Sequence, residues 1–323
     1  MNEKLTTSLI DTILKHIPCN KNPAAYLAKL LNMEQEYVYR RLRGQTNFTI
    51  EEIVLLAKEL KFSFDHVIGV KHDDVAIFNL TFLNKSCLDE ILTRKLEINL
   101  DGIQMLSAAK HSSILWAGNT IPFMIFNKYT NLTKFFFYKW NYQKLTNVPN
   151  PSFINFEFTK ETDRLLRTYR HNSLVNSNVS LILDDNFMLS VIRDINFFKI
   201  RGVLTKEETA ELQAELYDIL NTLEHDAIHG TSRLVGKVKI YLSAVNLSSS
   251  YTYVEYDNCC LSQLTIYTFN TLNSNDEVVC QMQKEWLKSI LKTSTNITSC
   301  NEIERCKYFE KQREVVKSLE YGV

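Results

Sequence analysis

Hydrophobic residues in the first 69 positions recur with the 3.6-residue period of an α-helix, and helix-ending residues interrupt them at short intervals. The first periodic run stops at Pro18, which cannot continue a helix. Two further runs lie on either side of Asn32, and Thr49 and Glu52 form a capping-box pattern that starts a fourth helix. A fifth short helix is predicted for residues 64–68. The first 69 residues therefore predict a compact module of five short helices.

Within this module, the second and third helices fall between residues 24 and 44 and are joined by a four-residue turn. Asn32 ends the first of them, because asparagine tolerates the left-handed backbone that such a turn requires. Val38 and Leu42, four residues apart, return apolar side chains from the second helix to the core. Two helices in this arrangement are typical of a helix-turn-helix DNA-binding unit.

The other face of the second helix is polar and contains the candidate DNA-binding residues. Glutamine can pair with adenine through two hydrogen bonds, and arginine can pair with guanine in the same way. Glutamate can accept a hydrogen bond from cytosine. The residues predicted to contact DNA are Gln35, Glu36, Tyr39, Arg40 and Arg43.

This segment resembles the lambda-repressor-like (XRE-type) helix-turn-helix family over about residues 4–69. The resemblance implies a five-helix DNA-binding domain. It also implies that bases are read by early positions of the recognition helix, which match Gln35, Glu36, Tyr39 and Arg40. The sequence departs from the family pattern at two positions. Asn32 stands where the family usually has glycine, and Arg41 stands where it usually has an apolar residue.

The rest of the chain predicts a helix-rich domain that contains a small antiparallel sheet. Residues 70–85 are interpreted as a linker, and residues 86–323 as a dimerisation or effector domain with a candidate sub-boundary at 149–152. Helical periodicity predicts helices over residues 86–110, 158–170, 184–202, 205–230, 278–292 and 299–319. Alternating positions predict strands over 237–244, 251–256 and 264–270. The predicted fold class is mainly α with an α+β C-terminal part.

Residues 113–145 are unusually aromatic, and residues 135–140 have only Lys139 as a polar interruption. The segment is consistent with a deeply buried helix pair, with a ligand pocket or with a partner surface. Aromatic stripes most often belong to a core, so the buried interpretation is favoured.

Composition limits the function without naming it. The chain of 323 residues has 45% hydrophobic residues, enough for substantial cores, and is long enough for two or three domains. Lysine plus arginine and aspartate plus glutamate both number 37. Residues 1–70 contain nine basic and eight acidic residues, a net charge of +1. Since phosphate contacts dominate DNA affinity, this charge predicts weak non-specific binding and a need for dimerisation or clustering.

The seven cysteines show no CxxC spacing, and residues 1–20 do not read as a signal peptide. These features predict a cytoplasmic protein with free, buried thiols, including Cys306. The longest apolar stretch, residues 114–126, is too short to span a bilayer, so no membrane association is expected.

The sequence gives only a weak indication of a metal site and none of a cofactor or catalytic site. His225 and His229 have the spacing of two zinc ligands, but the last turn of a helix explains them more simply. No cofactor motif appears, and neither a metal site nor catalytic residues are predicted.

The sequence therefore favours a cytoplasmic transcriptional regulator that binds double-stranded DNA as a homodimer. An unknown small-molecule effector is a candidate further partner, and the sequence does not establish that one exists. The alternative is a protein-interaction adaptor whose helix-turn-helix does not bind DNA. A weaker third hypothesis, an enzymatic C-terminal domain, has no residues that name a reaction.

Overall fold

The computed structural model describes residues 2–17, 21–60, 62, 76, 78–80, 88–143, 152–172, 177–232, 235–266, 268 and 270–320. The chain divides into two compact units, Met1–Ile77 and Phe78–Val323. This division falls within the stretch predicted as a linker, although Asn79–Leu80 of that stretch forms a short strand.

The first unit contains helices α1 (Asn2–His16), α2 (Pro23–Leu31), α3 (Gln35–Leu42) and α4 (Ile50–Leu60). The predicted fifth helix at residues 64–68 lies outside the described residues. Each of the four helices contributes a fully buried side chain to one hydrophobic cluster, namely Ile13, Leu27, Val38 and Leu56. The four helices therefore share one core of their own.

Local sequence signals set the ends of these helices. Asn22 caps α2 by accepting a hydrogen bond from the Ala25 amide, and Asn32 ends α2 in the left-handed conformation with φ of 50°. The capping box at α4 is present in both directions. The Glu52 amide donates to Thr49 Oγ1 at 3.2 Å, and the Thr49 amide donates to Glu52 Oε2 at 2.9 Å.

The second unit combines eight helices with nine strands in the part of it that the structure describes. The helices are α5 (Leu88–Ala108), α6 (Phe123–Phe126), α7 (Thr130–Gln143), α8 (Lys160–His171), α9 (Leu189–Ile200), α10 (Lys206–His229), α11 (Glu277–Thr293) and α12 (Glu302–Lys317), followed by a 3-10 turn at Ser318–Glu320. The strands are β1 (Asn79–Leu80), β2 (Ser112–Gly118), β3 (Asn178–Leu183), β4 (Thr231–Ser232), β5 (Gly236–Leu242), β6 (Tyr251–Tyr256), β7 (Cys259–Ile266), β8 (Asn270–Ser274) and β9 (Thr295–Asn296).

All nine strands form one mixed sheet of order β1-β8-β7-β6-β2-β3-β5-β4, in which β9 also pairs with β5. The central pairs β2–β3 and β3–β5 are parallel, whereas β6, β7 and β8 form an antiparallel meander beside β2. The prediction of a small antiparallel sheet is therefore wrong, since the meander is one part of a larger sheet. The predicted strand at 264–270 is also wrong, because residue 266 ends β7 and residue 270 begins β8.

Helices cover both faces of this sheet. Ile114 and Trp116 of β2 join a large cluster with α7, α9, α10 and α12. Ala117 joins a smaller cluster on the opposite face, where α11 supplies Cys280, Leu287 and Ile290. Because β2 is covered on both faces of the sheet, its residues do not alternate between apolar and polar, and no sequence pattern could detect it as a strand.

The aromatic segment forms core, as favoured. In α7 the buried side chains lie on all sides of the helix and include Phe135, Phe136, Phe137, Tyr138 and Trp140. Their rings make edge-to-face contacts, such as Phe135 with Phe198 at 5.7 Å between centroids. The expected helix pair is only partly right, because the start of the segment forms strand β2 and the short helix α6.

The last helix differs from its prediction in where it begins and in the exposure of Cys306. Helix α12 begins at Glu302 after its N-cap residue Asn301, and not at the predicted residue 299. The Ser299 amide instead donates to the Ala227 carbonyl at 2.9 Å. The buried side of α12 contains Arg305 and Phe309, so Cys306 faces outward and is exposed. The prediction that Cys306 is a buried thiol is therefore wrong. Cys259 and Cys300 are exposed as well, whereas Cys280 is buried.

Candidate nucleic-acid interface

Helix α3 presents a continuous polar face to solvent. At about 100° per residue, the predicted contact residues fall within an arc of about 140° around the helix axis. All five side chains are exposed, and Arg43 is the C-cap residue that follows the helix; they are Gln35, Glu36, Tyr39, Arg40 and Arg43. The structure therefore brings the five residues together on one surface.

The opposite side of α3 fixes which face is presented. Val38 is fully buried, and Leu42 packs against the same cluster one turn later. A rotation of α3 about its axis would expose Val38, so the burial of this side holds the polar face outward.

Arg41 packs against α4 and does not belong to the outer face of α3. Its Nε donates to Glu52 Oε2 at 2.9 Å, and its Nη2 donates to Glu52 Oε1 at 2.8 Å. Glu52 is also the capping-box residue of α4. One carboxylate thus joins the end of α3 to the beginning of α4 through charge-assisted hydrogen bonds.

The charges on the outer face are mixed. Arg40 and Arg43 carry positive charge, and Glu36 carries negative charge. The Arg43 guanidinium lies 5.9 Å from the centroid of the Tyr39 ring, a cation–π distance that restrains both side chains. Among the described residues, Arg40 makes no side-chain hydrogen bond or ion pair, so its donors remain available to a ligand.

The beginning of α3 can also approach an anion. Its N-cap residue, Glu34, makes no side-chain cap hydrogen bond, and the Tyr37 amide donates to the Glu34 carbonyl at 3.1 Å. The Glu34 side chain therefore does not occupy the amides of Gln35 and Glu36. Helix N-termini bind phosphate groups through such amides. The negative charge of Glu36 in the same turn opposes this attraction.

In the second unit, the usual ligand crevice of an α/β sheet is filled by the chain itself. Ligands commonly bind beyond the carboxyl ends of parallel strands. Here residues 243–250 cover that edge, where the Leu247 amide donates to Oδ2 of the buried Asp184 at 2.6 Å. The Leu247 carbonyl accepts a hydrogen bond from Asn119 Nδ2 at 2.7 Å. This edge is therefore a packed structural region.

The candidate metal residues form no obvious metal centre. His225 and His229 stack at 4.2 Å between ring centroids, and His229 Nδ1 hydrogen-bonds to the His225 carbonyl at 2.8 Å. In the stretches that the structure describes, no group of three or more histidine, cysteine or acidic side chains could hold a metal ion. No helix in those stretches is long and apolar enough to cross a bilayer.

Sequence reasoning missed the Arg41–Glu52 pair, although it identified Glu52 as a capping residue. The two residues are 11 positions apart on different helices, so no helical spacing signals their contact.

Comparisons with protein families, with curated proteins and with solved structures find no match. The polar face of α3 is consequently the main evidence for function.

Proposed function

We propose that the chain is a cytoplasmic transcriptional regulator that binds specific sequences of double-stranded DNA through α3. The observation that carries this proposal is the single exposed arc of hydrogen-bonding side chains, held outward by Val38 and braced by the Arg41–Glu52 pair. A helix of this size fits the major groove, and the preceding helix α2 then crosses the phosphate backbone.

The residues on this arc have different roles in the proposed complex. Gln35 and Arg40 contact base edges, because their side chains can form two hydrogen bonds to adenine and guanine. Glu36 accepts a hydrogen bond from the amino group of cytosine. Arg43, restrained against Tyr39, contacts a phosphate.

The test begins with selection of genomic DNA fragments that bind the purified full-length chain. The double variant Gln35→Ala with Arg40→Ala should lose about 2–6 kcal/mol of binding free energy for the selected site, since each bidentate base contact contributes about 1–3 kcal/mol. Lys58→Ala removes an exposed positive charge from α4 and is the control. Full affinity in the double variant would refute the assignment of α3 to the groove.

We also propose that the regulator is a homodimer formed through α11. Val278, Met282 and Trp286 are one turn apart on this helix and are 57%, 67% and 43% exposed. The Trp286 ring lies 4.5 Å from that of Tyr251, so the stripe continues onto β6. Such an apolar row on a charged helix is typical of a helix–helix contact.

The charges at the ends of α11 favour a second copy as the occupant. Asp276 and Glu277 lie at its beginning, and Lys288 and Lys292 lie towards its end. Two copies of α11 packed antiparallel about Met282 would place each acidic end beside the basic end of the other.

Sedimentation equilibrium tests this interface. Wild type should sediment as a dimer and Met282→Lys as a monomer, because a buried lysine at the centre of the contact would be desolvated. Ile303→Lys, at an exposed apolar position on α12, is the matched control and should remain dimeric. A monomeric wild type, or a dimeric Met282→Lys, would contradict the proposal.

An adaptor function is the second candidate, and the surface of α4 favours it. Ile50 and Val54 are four residues apart on α4, and both are exposed. Together with the low net charge of residues 1–70, they provide a surface for a protein partner. Affinity for genomic DNA that falls steeply with salt supports the regulator, whereas absence of DNA binding at low salt supports the adaptor.

A further inference from the structure

The second unit contains a cavity of about 660 Å³ at the amino ends of β3 and β5, away from the filled carboxyl edge. Val179 and Val238 form its floor, the α6–α7 turn forms one wall, and α10 forms the other. Its size lies within the range of about 300–1,000 Å³ that is typical of small-molecule sites. Most of its lining is apolar, so the body of a ligand would be apolar as well.

A few polar groups converge on this cavity. Asp226 of α10 is buried, and its Oδ1 lies 3.7 Å from Nδ1 of the exposed His225. Its carboxylate also hydrogen-bonds to Ser232. A carboxylate offers about four acceptor sites, of which these two neighbours use at most two. Asp226 can therefore accept further hydrogen bonds from a ligand.

The half-buried Lys128 at the cavity already has its hydrogen bonds satisfied. The Lys128 ammonium donates to the carbonyl oxygens of Arg170 at 2.7 Å, Asn172 at 3.0 Å and Tyr169 at 3.4 Å. An ammonium has three donors, so none remains for an anionic ligand. The Tyr129 phenol is likewise engaged with neighbouring side chains of α10. Among the described residues that line the cavity, Asp226 is thus the acidic side chain, and it has hydrogen-bond acceptor sites left for a ligand.

Because Asp226 is partly desolvated, a cationic ligand group would bind to it more favourably than a neutral one. Burial raises the pKa of this carboxyl, because its charged form loses contact with water. An uncharged ligand would leave that cost in place. A ligand ammonium group would offset it through a charge-assisted hydrogen bond.

We infer that this cavity binds a small amine with an apolar body, whose ammonium group contacts Asp226. The inference goes beyond DNA binding and does not depend on it, since ligand binding is measured without DNA.

Calorimetric titration of the full-length chain with three ligands of one shape tests the inference. Tryptamine, tryptophol and indolepropionate share an indole body and end in an ammonium, a hydroxyl and a carboxylate. Tryptamine should bind with a Kd at least about tenfold lower than tryptophol, and indolepropionate should bind most weakly.

Asp226→Asn keeps the shape of the side chain and removes its charge, so it should raise the Kd of tryptamine to that of tryptophol. Asp101→Asn, at an exposed position on α5, is the matched control and should change nothing. Thr222→Phe introduces a ring into the cavity from a half-buried position and should weaken all three ligands. If Asp226→Asn lowers the urea midpoint and so destabilises the fold, Thr222→Phe still tests whether the three ligands bind in this cavity.

Three results would overturn the inference: equal affinity for the three head groups, unchanged tryptamine binding in Asp226→Asn, or no binding of any of the three compounds.

Discussion

The Arg41–Glu52 pair should contribute measurably to the stability of the first unit, because it is well sheltered from solvent. The two side chains are 13% and 15% exposed, and two hydrogen bonds join them at 2.8 and 2.9 Å. Hydrogen bonds to charged groups contribute about 1.5–3 kcal/mol, and exposed ion pairs contribute about 0–1 kcal/mol. We therefore expect a coupling free energy of about 2 kcal/mol between the two residues.

A double-mutant cycle isolates this coupling. Arg41→Met keeps the length of the side chain without its charge. Glu52→Gln keeps an oxygen that can accept the Thr49 amide, so the cap of α4 survives. The single variants should each be destabilised, and the double variant should be destabilised by about 2 kcal/mol less than the sum of the two.

Hydrogen exchange followed by mass spectrometry is the suitable assay. All three tryptophans lie in the second unit, so their fluorescence does not report on the first. In Arg41→Met, the slowest amides of α3 and α4 should exchange about 30-fold faster, which corresponds to about 2 kcal/mol.

The exposed pair Arg94–Glu97 on α5 is the matched control. Its side chains are 51% and 42% exposed, so the corresponding cycle should give a coupling below about 0.5 kcal/mol. The reasoning is refuted if the Arg41 and Glu52 effects are additive within about 0.5 kcal/mol.

Three further outcomes are expected. Asn32→Ala should destabilise the first unit by about 1 kcal/mol, and Asn32→Gly should not, because the backbone at this position is left-handed; exchange of α2 amides measures both. Gly118→Ala should cost at least about 1–3 kcal/mol in urea unfolding followed by tryptophan fluorescence, since the added Cβ would lie 2.8 Å from that of Ser250. Burial lowers the pKa of Lys95 from 10.5 to about 7, so the unfolded chain holds a proton that the folded chain lacks between these values. The free energy of unfolding should therefore rise with pH from about 7 to about 10, and Lys95→Met should abolish that rise in the same assay.

Features that depend on neighbouring residues could be predicted from the sequence. The capping box at Thr49–Glu52 lies within one helical turn, and it is present. The left-handed backbone at Asn32 is also as expected. The outward face of α3 belongs to this group, because the burial of Val38 follows from helical period alone.

Features that depend on distant segments could not be predicted in this way. Strands β2 and β3 are buried on both faces, so their residues resemble those of a buried helix. The cavity beside Asp226 is assembled from segments that span residues 124–238. Only the parallel pairing of β3 with β5 brings its floor residues together, and no motif marks that pairing.

The parallel centre of the sheet also has a consequence for synthesis of the chain. Ile114 of β2 pairs with Val179 of β3, which is 65 residues later, and Val179 pairs with Val238 after another 59. At translation rates of about 5–20 residues per second, β2 waits roughly 3–13 seconds for its first parallel neighbour. The helices of the first unit make local contacts and are complete long before then. We therefore expect the helical unit to fold on the ribosome while the apolar central strands still need protection from aggregation.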